Sequence, residues 1–296
     1  MEKPKVSIIV PTHNHAKFLP KAIDSIISQT VEEWEVIIVN HFSSDDTTEV
    51  VLSYSDPRIR FVNCLSSPGS IAAARNFGLS FASAPLIAFL DSDDFWYPTK
   101  LSACLAKLSQ GFDLVCHAEI WAGPGNRRRV VRYGPENRAS YNNLLFKGNC
   151  ISTSAVVLRR DCLERVGAFN ECMNFNTAED YDLWLRIAKV GYRIGFLEEN
   201  LGEYLIHNAN NSKNSLRNMF AVMAVFEEHI NYISGQVPRS ELQRRRALIL
   251  YSGARELQNN GEHLQAFKIF IDALRCYPFV AKFYIAIFLN ALGLRI

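Results

Sequence analysis

Two aspartates one residue apart, Asp91 and Asp93, close the apolar run Leu86-Ile87-Ala88-Phe89-Leu90. Such a run reads as a strand buried in a parallel sheet, and the carboxyl ends of those strands open onto the ligand crevice of an α/β fold. Two carboxylates there repel one another unless a cation lies between them. A hard divalent metal, Mn2+ or Mg2+, carrying a diphosphate would satisfy both. Asp and Ser also cap the helix after a strand, and Thr99 to Leu108 reads as such a helix, so the pair by itself leaves capping open.

The elements that must position these acids alternate. Val6 to Val10, Val36 to Val39, Ile59 to Val62 and Leu86 to Leu90 read as strands, and Leu19 to Gln29, Asp45 to Ser53 and Ile71 to Ala82 as the helices between them. Leu114 to Ala118 adds a further strand. This order predicts an α/β, Rossmann-like, mostly parallel sheet flanked by helices. The pattern weakens between Gly123 and Asn149, where Gly-Pro pairs mark loops or a small antiparallel excursion. Ile151 to Leu158 then reads as a strand, Asp161 to Val166 and Ala178 to Val190 as helices, and Arg193 to Phe196 with Gly202 to Ile206 as two late strands.

After Asn208 the composition becomes purely helical, which places a domain boundary near residue 212, with 1–212 as the α/β domain and 213–296 as an all-helical extension. Ala266, Phe270 and Pro278 match elements of a tetratricopeptide-type hairpin, or belong to an ordinary helical pair. The apolar tail Phe279 to Ile296 suits either core packing or a helix lying on a membrane surface.

Composition narrows the function. With 296 residues, 48% of them hydrophobic, the chain can bury a full core. A formal net charge of +2 gives no basic field for nucleic acid. The triplet Arg127-Arg128-Arg129 reads as a solvated loop, the alternative being a contact for an anionic acceptor or lipid. Seven cysteines without zinc spacing, no signal peptide and no spanning segment point to the cytoplasm.

Five short motifs occur in order: Val6-Ser7-Ile8-Ile9-Val10-Pro11-Thr12-His13-Asn14, Ser28-Gln29-Thr30, Ala74-Arg75-Asn76-x-Gly78, Asp91-Ser92-Asp93-Asp94 and Glu179-Asp180. Together they resemble the family 2 glycosyltransferases of the GT-A fold, over roughly residues 5 to 210. The resemblance implies a metal-dependent inverting transferase of bacterial-type glycan biosynthesis. It would pass one sugar from a nucleotide-diphosphate donor, a UDP-sugar first among them, to a glycan or lipid-linked acceptor, with peripheral contact at the inner membrane face through the tail. By the same resemblance Asp180 is the general base. Pro11, Thr12, Asn14, Asn40, His41, Arg75, Asp91, Ser92, Asp93 and Glu179 face the nucleotide sugar, and Asp93, Asp91 and His207 hold the metal. Taken alone, Glu179-Asp180 would be favourable charges in a helix's first turn.

Two departures stand out. Asn40-His41-Phe42-Ser43 replaces the family's Asp-Asp-Gly-Ser, which removes a carboxylate expected at the base or ribose, and Leu205 replaces an Arg two positions before His207. The Gln-x-x-Arg-Trp signature of processive synthases is absent, which favours single-sugar transfer. A noncatalytic nucleotide-sugar-binding or scaffolding protein is the rival reading. A dinucleotide oxidoreductase would need a Gly-x-Gly-x-x-Gly turn after the first strand, where there is no glycine.

Overall fold

The computed structural model describes residues 3–67, 69–125, 127–207, 215–233, 235 and 237–294. The chain forms two compact units. The first contains Met1–Leu144, Gly148–Glu171 and Asp180–His207; the second contains Leu145–Lys147, Cys172–Glu179 and Asn208–Ile296. The boundary expected at residue 212 lies outside the described residues.

Among the described residues, nine strands build one sheet: β1 (Val6–Thr12), β2 (Trp34–Asn40), β3 (Ile59–Asn63), β4 (Leu86–Phe89), β5 (Phe95–Trp96), β6 (Leu114–Gly123), β7 (Arg127–Val131), β8 (Val156–Arg159) and β9 (Ile194–Leu205). Their order is β3-β2-β1-β4-β8-β6-β9-β5, with β7 on β6. The first four are parallel, as the alternation predicts. Beyond β4 the sheet is mixed: β8 runs antiparallel between β4 and β6, and β6 and β9 are parallel. The short β5 and the arginine-bearing β7 pair antiparallel with β9 and β6.

The helices are α1 (Leu19–Ile27), α2 (Thr47–Leu52), α3 (Ile71–Leu79), α4 (Lys100–Leu108), α5 (Tyr141–Lys147), α6 (Arg160–Val166), α7 (Glu179–Val190), α8 (Ser215–Ile230), α9 (Arg239–Asn260), α10 (His263–Cys276) and α11 (Ala281–Ala291). All seven residues of β1 are buried, the signature of a central strand covered on both faces. Leu19, Ala22, Ile23 and Ile26 line the inner face of α1 at helical spacing. Ser70 caps α3 by accepting the Ala73 N–H. That helix approaches the sheet through Gly78, where a Cβ would lie 2.7 Å from Ile9 Cγ2 and 2.8 Å from Val39 Cγ2. In the second unit, Ala266 and Phe270 of α10 pack on Ala254 and Leu257 of α9 and Ala286 of α11.

Three sequence expectations change. Ile151 to Leu158 is a strand only from Val156; before it, Thr153–Ala155 forms a 3-10 turn whose hydroxyls serve distant carboxylates rather than a strand face. The two late strands are one, β9, in which register shifts opposite His117 and Ala118 absorb the polar residues that looked like a break. Arg127-Arg128-Arg129 is not a loop but the start of β7, paired residue for residue with Gly123, Ala122 and Trp121.

Candidate active site

Parallel pairing brings the carboxyl ends of β1, β2 and β4 side by side, with Thr12 opposite Asn40 and Ile9 opposite Phe89. The loops leaving β1 and β2 are tied together. Asn14, at φ 52° in the left-handed region that Asn tolerates, accepts the Ser44 N–H at 2.7 Å. His13 Nδ1 lies 2.7 Å from the His41 carbonyl, and Asp45 accepts the Ala16 N–H at 2.9 Å. Pro11 and Thr12 are buried at the base of this loop pair, and the Thr12 hydroxyl has no partner among the described residues. Asn40 is occupied internally, donating to Asn63 at 2.9 Å and accepting the Ser43 N–H at 3.2 Å. His41 Nε2 lies 3.1 Å from the Ser66 carbonyl.

The segment after β4 distributes its acids to different partners. Asp91 forms an ion pair with the buried Arg75 of α3 at 2.7 Å. Arg75 is therefore not a surface residue, and its guanidinium also lies over the Phe169 ring at 5.3 Å. Asp93 meets His207 Nε2 at 2.8 Å. Burial, reinforced by the charge of Asp91, raises the Asp93 carboxyl above its ordinary range, against the opposing pull of His15 and His207. Asp94 is fully buried and raised further, again mainly by burial. Ser92 lies 2.8 Å from His15 Nδ1.

His207 lies two residues past the end of β9 and stacks on Phe18 with ring centroids 4.6 Å apart. His15, Asp93 and His207 each offer one ligand atom, all within 4.8 Å of one another. Asp91 stands outside this cluster. One carboxylate oxygen with two imidazole nitrogens is a donor set that manganese accepts more readily than magnesium, which prefers oxygen alone.

Asp180, the second residue of α7, lies more than eighty residues beyond these acids. One turn brings them together. The Thr153 hydroxyl donates to Asp180 Oδ2 at 2.9 Å. Its neighbour Ser154 accepts the Asp91 N–H at 3.1 Å and donates to Asp94 Oδ2 at 2.6 Å. Asp180 is half-buried, and the site around the turn lies wholly within the first unit. Glu179 is buried and accepts the Thr177 N–H at 2.8 Å, a capping contact for the turn before α7. Glu119 of β6 is a further buried carboxylate. Burial pushes it up to about 7, against hydrogen bonds from Tyr133 and Ser152.

His15, Glu119 and the run Ser152-Thr153-Ser154 were not read as site residues from the sequence. His15 lies one residue past the loop that was, and a run of three hydroxyl residues was the only signal for the turn.

A family model described as "Glycosyl transferase family 2" matches residues 7–167. Among curated proteins, the chain is 35% identical over 185 residues to the Escherichia coli UDP-Glc:alpha-D-GlcNAc-diphosphoundecaprenol beta-1,3-glucosyltransferase WfgD, covering 62% of this chain and 70% of that one. It is 31% identical to an uncharacterized glycosyltransferase of Rickettsia felis over 71% of its own length, but spans only 35% of that protein. Among solved structures, residues 1-349 of S. aureus TarS in complex with UDP-GlcNAc superimpose with a TM-score of 0.65 at 18% identity, covering 98% of this chain and 86% of that fragment. The mannosyltransferase PcManGT of Pyrobaculum calidifontis, in complex with GDP-Man and Mn2+, gives 0.62 at 18% identity, covering 99% and 86%.

Proposed function

This chain belongs to glycosyl transferase family 2 and has the GT-A fold, and we propose that it moves one sugar from a nucleotide-diphosphate donor to a hydroxyl of a glycan or lipid-linked acceptor, with inversion. The observation that carries this reading is the Thr153-Ser154 turn, which ties Asp180 to the acids that follow β4.

Asp180 takes the proton of the acceptor hydroxyl while that oxygen bonds to the anomeric carbon. The bond from that carbon to the diphosphate oxygen breaks on the opposite side, and its electron pair leaves with the nucleoside diphosphate. Thr153 fixes which way the base points. Asp91, held by Arg75, faces the ribose, and the loops Pro11 to Asn14 and Asn40 to Ser43 receive the nucleoside. Asp93 and His207, joined by His15, would hold a divalent metal, manganese before magnesium, which when bound neutralises the charge of the departing diphosphate. A UDP-sugar is the donor this reading favours, since WfgD is named for UDP-Glc and TarS holds UDP-GlcNAc. No helix among the described residues is long and apolar enough to cross a membrane. Contact with a lipid-linked acceptor at the inner membrane face is, in this proposal, peripheral and made through α11, which exposes Tyr284, Ile285 and Phe288.

Asp180→Asn tests the base. The variant should lose sugar transfer and keep UDP affinity; turnover retained at the wild-type rate would remove Asp180 from the role.

A further inference from the structure

We propose that the β6–β7 hairpin is an anion-binding subsite for a phosphate-bearing acceptor, a glycosyl diphosphate held by Arg127 and Arg129, an inference that rests on the transferase reading above. The register places Arg129 of β7, Trp121 of β6 and Tyr204 of β9 in one row across three strands. The Arg129 guanidinium lies over the Trp121 ring at 4.6 Å, and Trp121 meets Tyr204 at 5.1 Å between centroids. A guanidinium laid on an indole keeps its edge free for an anion while its plane is fixed. Arg127 projects from the same face two residues earlier. Its partner across the ladder is Gly123, which has no side chain to cover it.

Charge alone does not explain the strand. Edge strands carry Lys and Arg to discourage pairing with other chains, and Arg128 on the opposite face is ion-paired with Glu203. Among the described residues Arg127 and Arg129 have no carboxylate partner. What links them to the chemistry is a relay of contacts. Trp121 Nε1 donates to the Tyr133 hydroxyl at 3.1 Å, and that hydroxyl donates to Glu119 Oε2 at 2.6 Å. Glu119 is hydrogen-bonded by Ser152, the neighbour of Thr153, which holds Asp180. The guanidinium row thus lies on the sheet face that leads to the base. An acceptor sugar offering its hydroxyl to Asp180 would extend its anomeric diphosphate toward this row.

The test measures binding to the full chain saturated with UDP and Mn2+, so that the donor pocket is filled. Two soluble probes are compared: GlcNAc diphosphate carrying a butyl tail, and butyl GlcNAc without phosphate. The wild type should bind the first about tenfold or more tightly than the second, the span expected for charge-assisted contacts. R127A/R129A should bring that ratio below about twofold while UDP affinity stays the same. If the double variant does not fold, the exposed single substitution R127Q should lower the ratio about threefold. A wild type without preference, or a preference that survives both substitutions, overturns the proposal. So does a variant that loses binding to vesicles containing phosphatidylglycerol yet keeps the soluble ratio, because the strand would then meet lipid headgroups. If the wild type shows the ratio but never hydrolyses a UDP-sugar, the transferase reading fails and the anion subsite stands.

Discussion

Replacing Thr153 by Val isolates the contact that joins the two halves of the site. Valine keeps the branched shape of threonine and removes only the donor to Asp180 Oδ2, which lies 2.9 Å away. Hydrogen bonds to charged groups contribute roughly 1.5–3 kcal/mol net. Thr153 is buried but Asp180 is half-exposed, so the lower end of that range applies. If the bond serves to aim the base, about 1.5 kcal/mol appears in the chemical step as roughly a tenfold fall in kcat. KM for the donor should not move, since nothing in the contact touches the nucleotide. Thr153→Ser keeps the hydroxyl and should hold kcat within about twofold of the wild type. Steady-state kinetics with a saturating UDP-sugar and a common acceptor reads both numbers. A Val variant within twofold of wild-type kcat, or a Ser variant as slow as the Val one, would refute the positioning role.

Other expectations follow from the same contacts. Asp93→Ala and His207→Ala should each weaken the manganese dependence of UDP binding by tenfold or more, of the order seen when a metal ligand or its support is lost, with His15→Ala intermediate; titrations unchanged from the wild type in all three would dissolve the cluster. Glu119 is held near 7 in the fold and titrates near 4.3 when unfolded. The native state therefore binds the extra proton, and stability is full below the unfolded value and is lost as pH rises through 7, on the order of 3 kcal/mol in all. Urea midpoints for Glu119→Gln should be flatter than wild type from pH 5 to 8, and parallel curves would count against it. Gly78→Ala would drive a methyl into Ile9 and Val39, both fully buried. Overpacking of about 1–3 kcal/mol should outweigh the helix propensity gained, lowering the melting temperature; an unchanged or raised melting temperature would mean that α3 can shift.

What the chain revealed before folding was local. The acids after β4 announced themselves because a buried strand and its exit residues are contiguous, and the parallel half of the sheet followed from four short apolar runs separated by helices. Contacts between distant segments were hidden. Ser152-Thr153-Ser154 sits inside the run Ile151 to Leu158 that reads as a strand, and nothing in its neighbourhood hints that its partners lie at Asp91, Asp94 and Asp180. His15 became a metal candidate only when β9 delivered His207 to it. Strand β7 was obscured by its charge, since four arginines between 127 and 132 look like solvent-facing loop until β6 supplies the ladder. The extension of β9 was obscured by its polar middle, which a bulge accommodates.

Because adjacent hydroxyls of one turn anchor both Asp180 and the acids after β4, the two sides of the reaction centre behave as a single rigid jaw. Parting them to admit a bulky acceptor would mean breaking at least the Thr153–Asp180 bond, at a cost of about 1.5 kcal/mol. Breathing that lets substrates in and products out is then cheaper in the surrounding loops, and an inhibitor shaped to span base and donor acids would meet a template that is largely set.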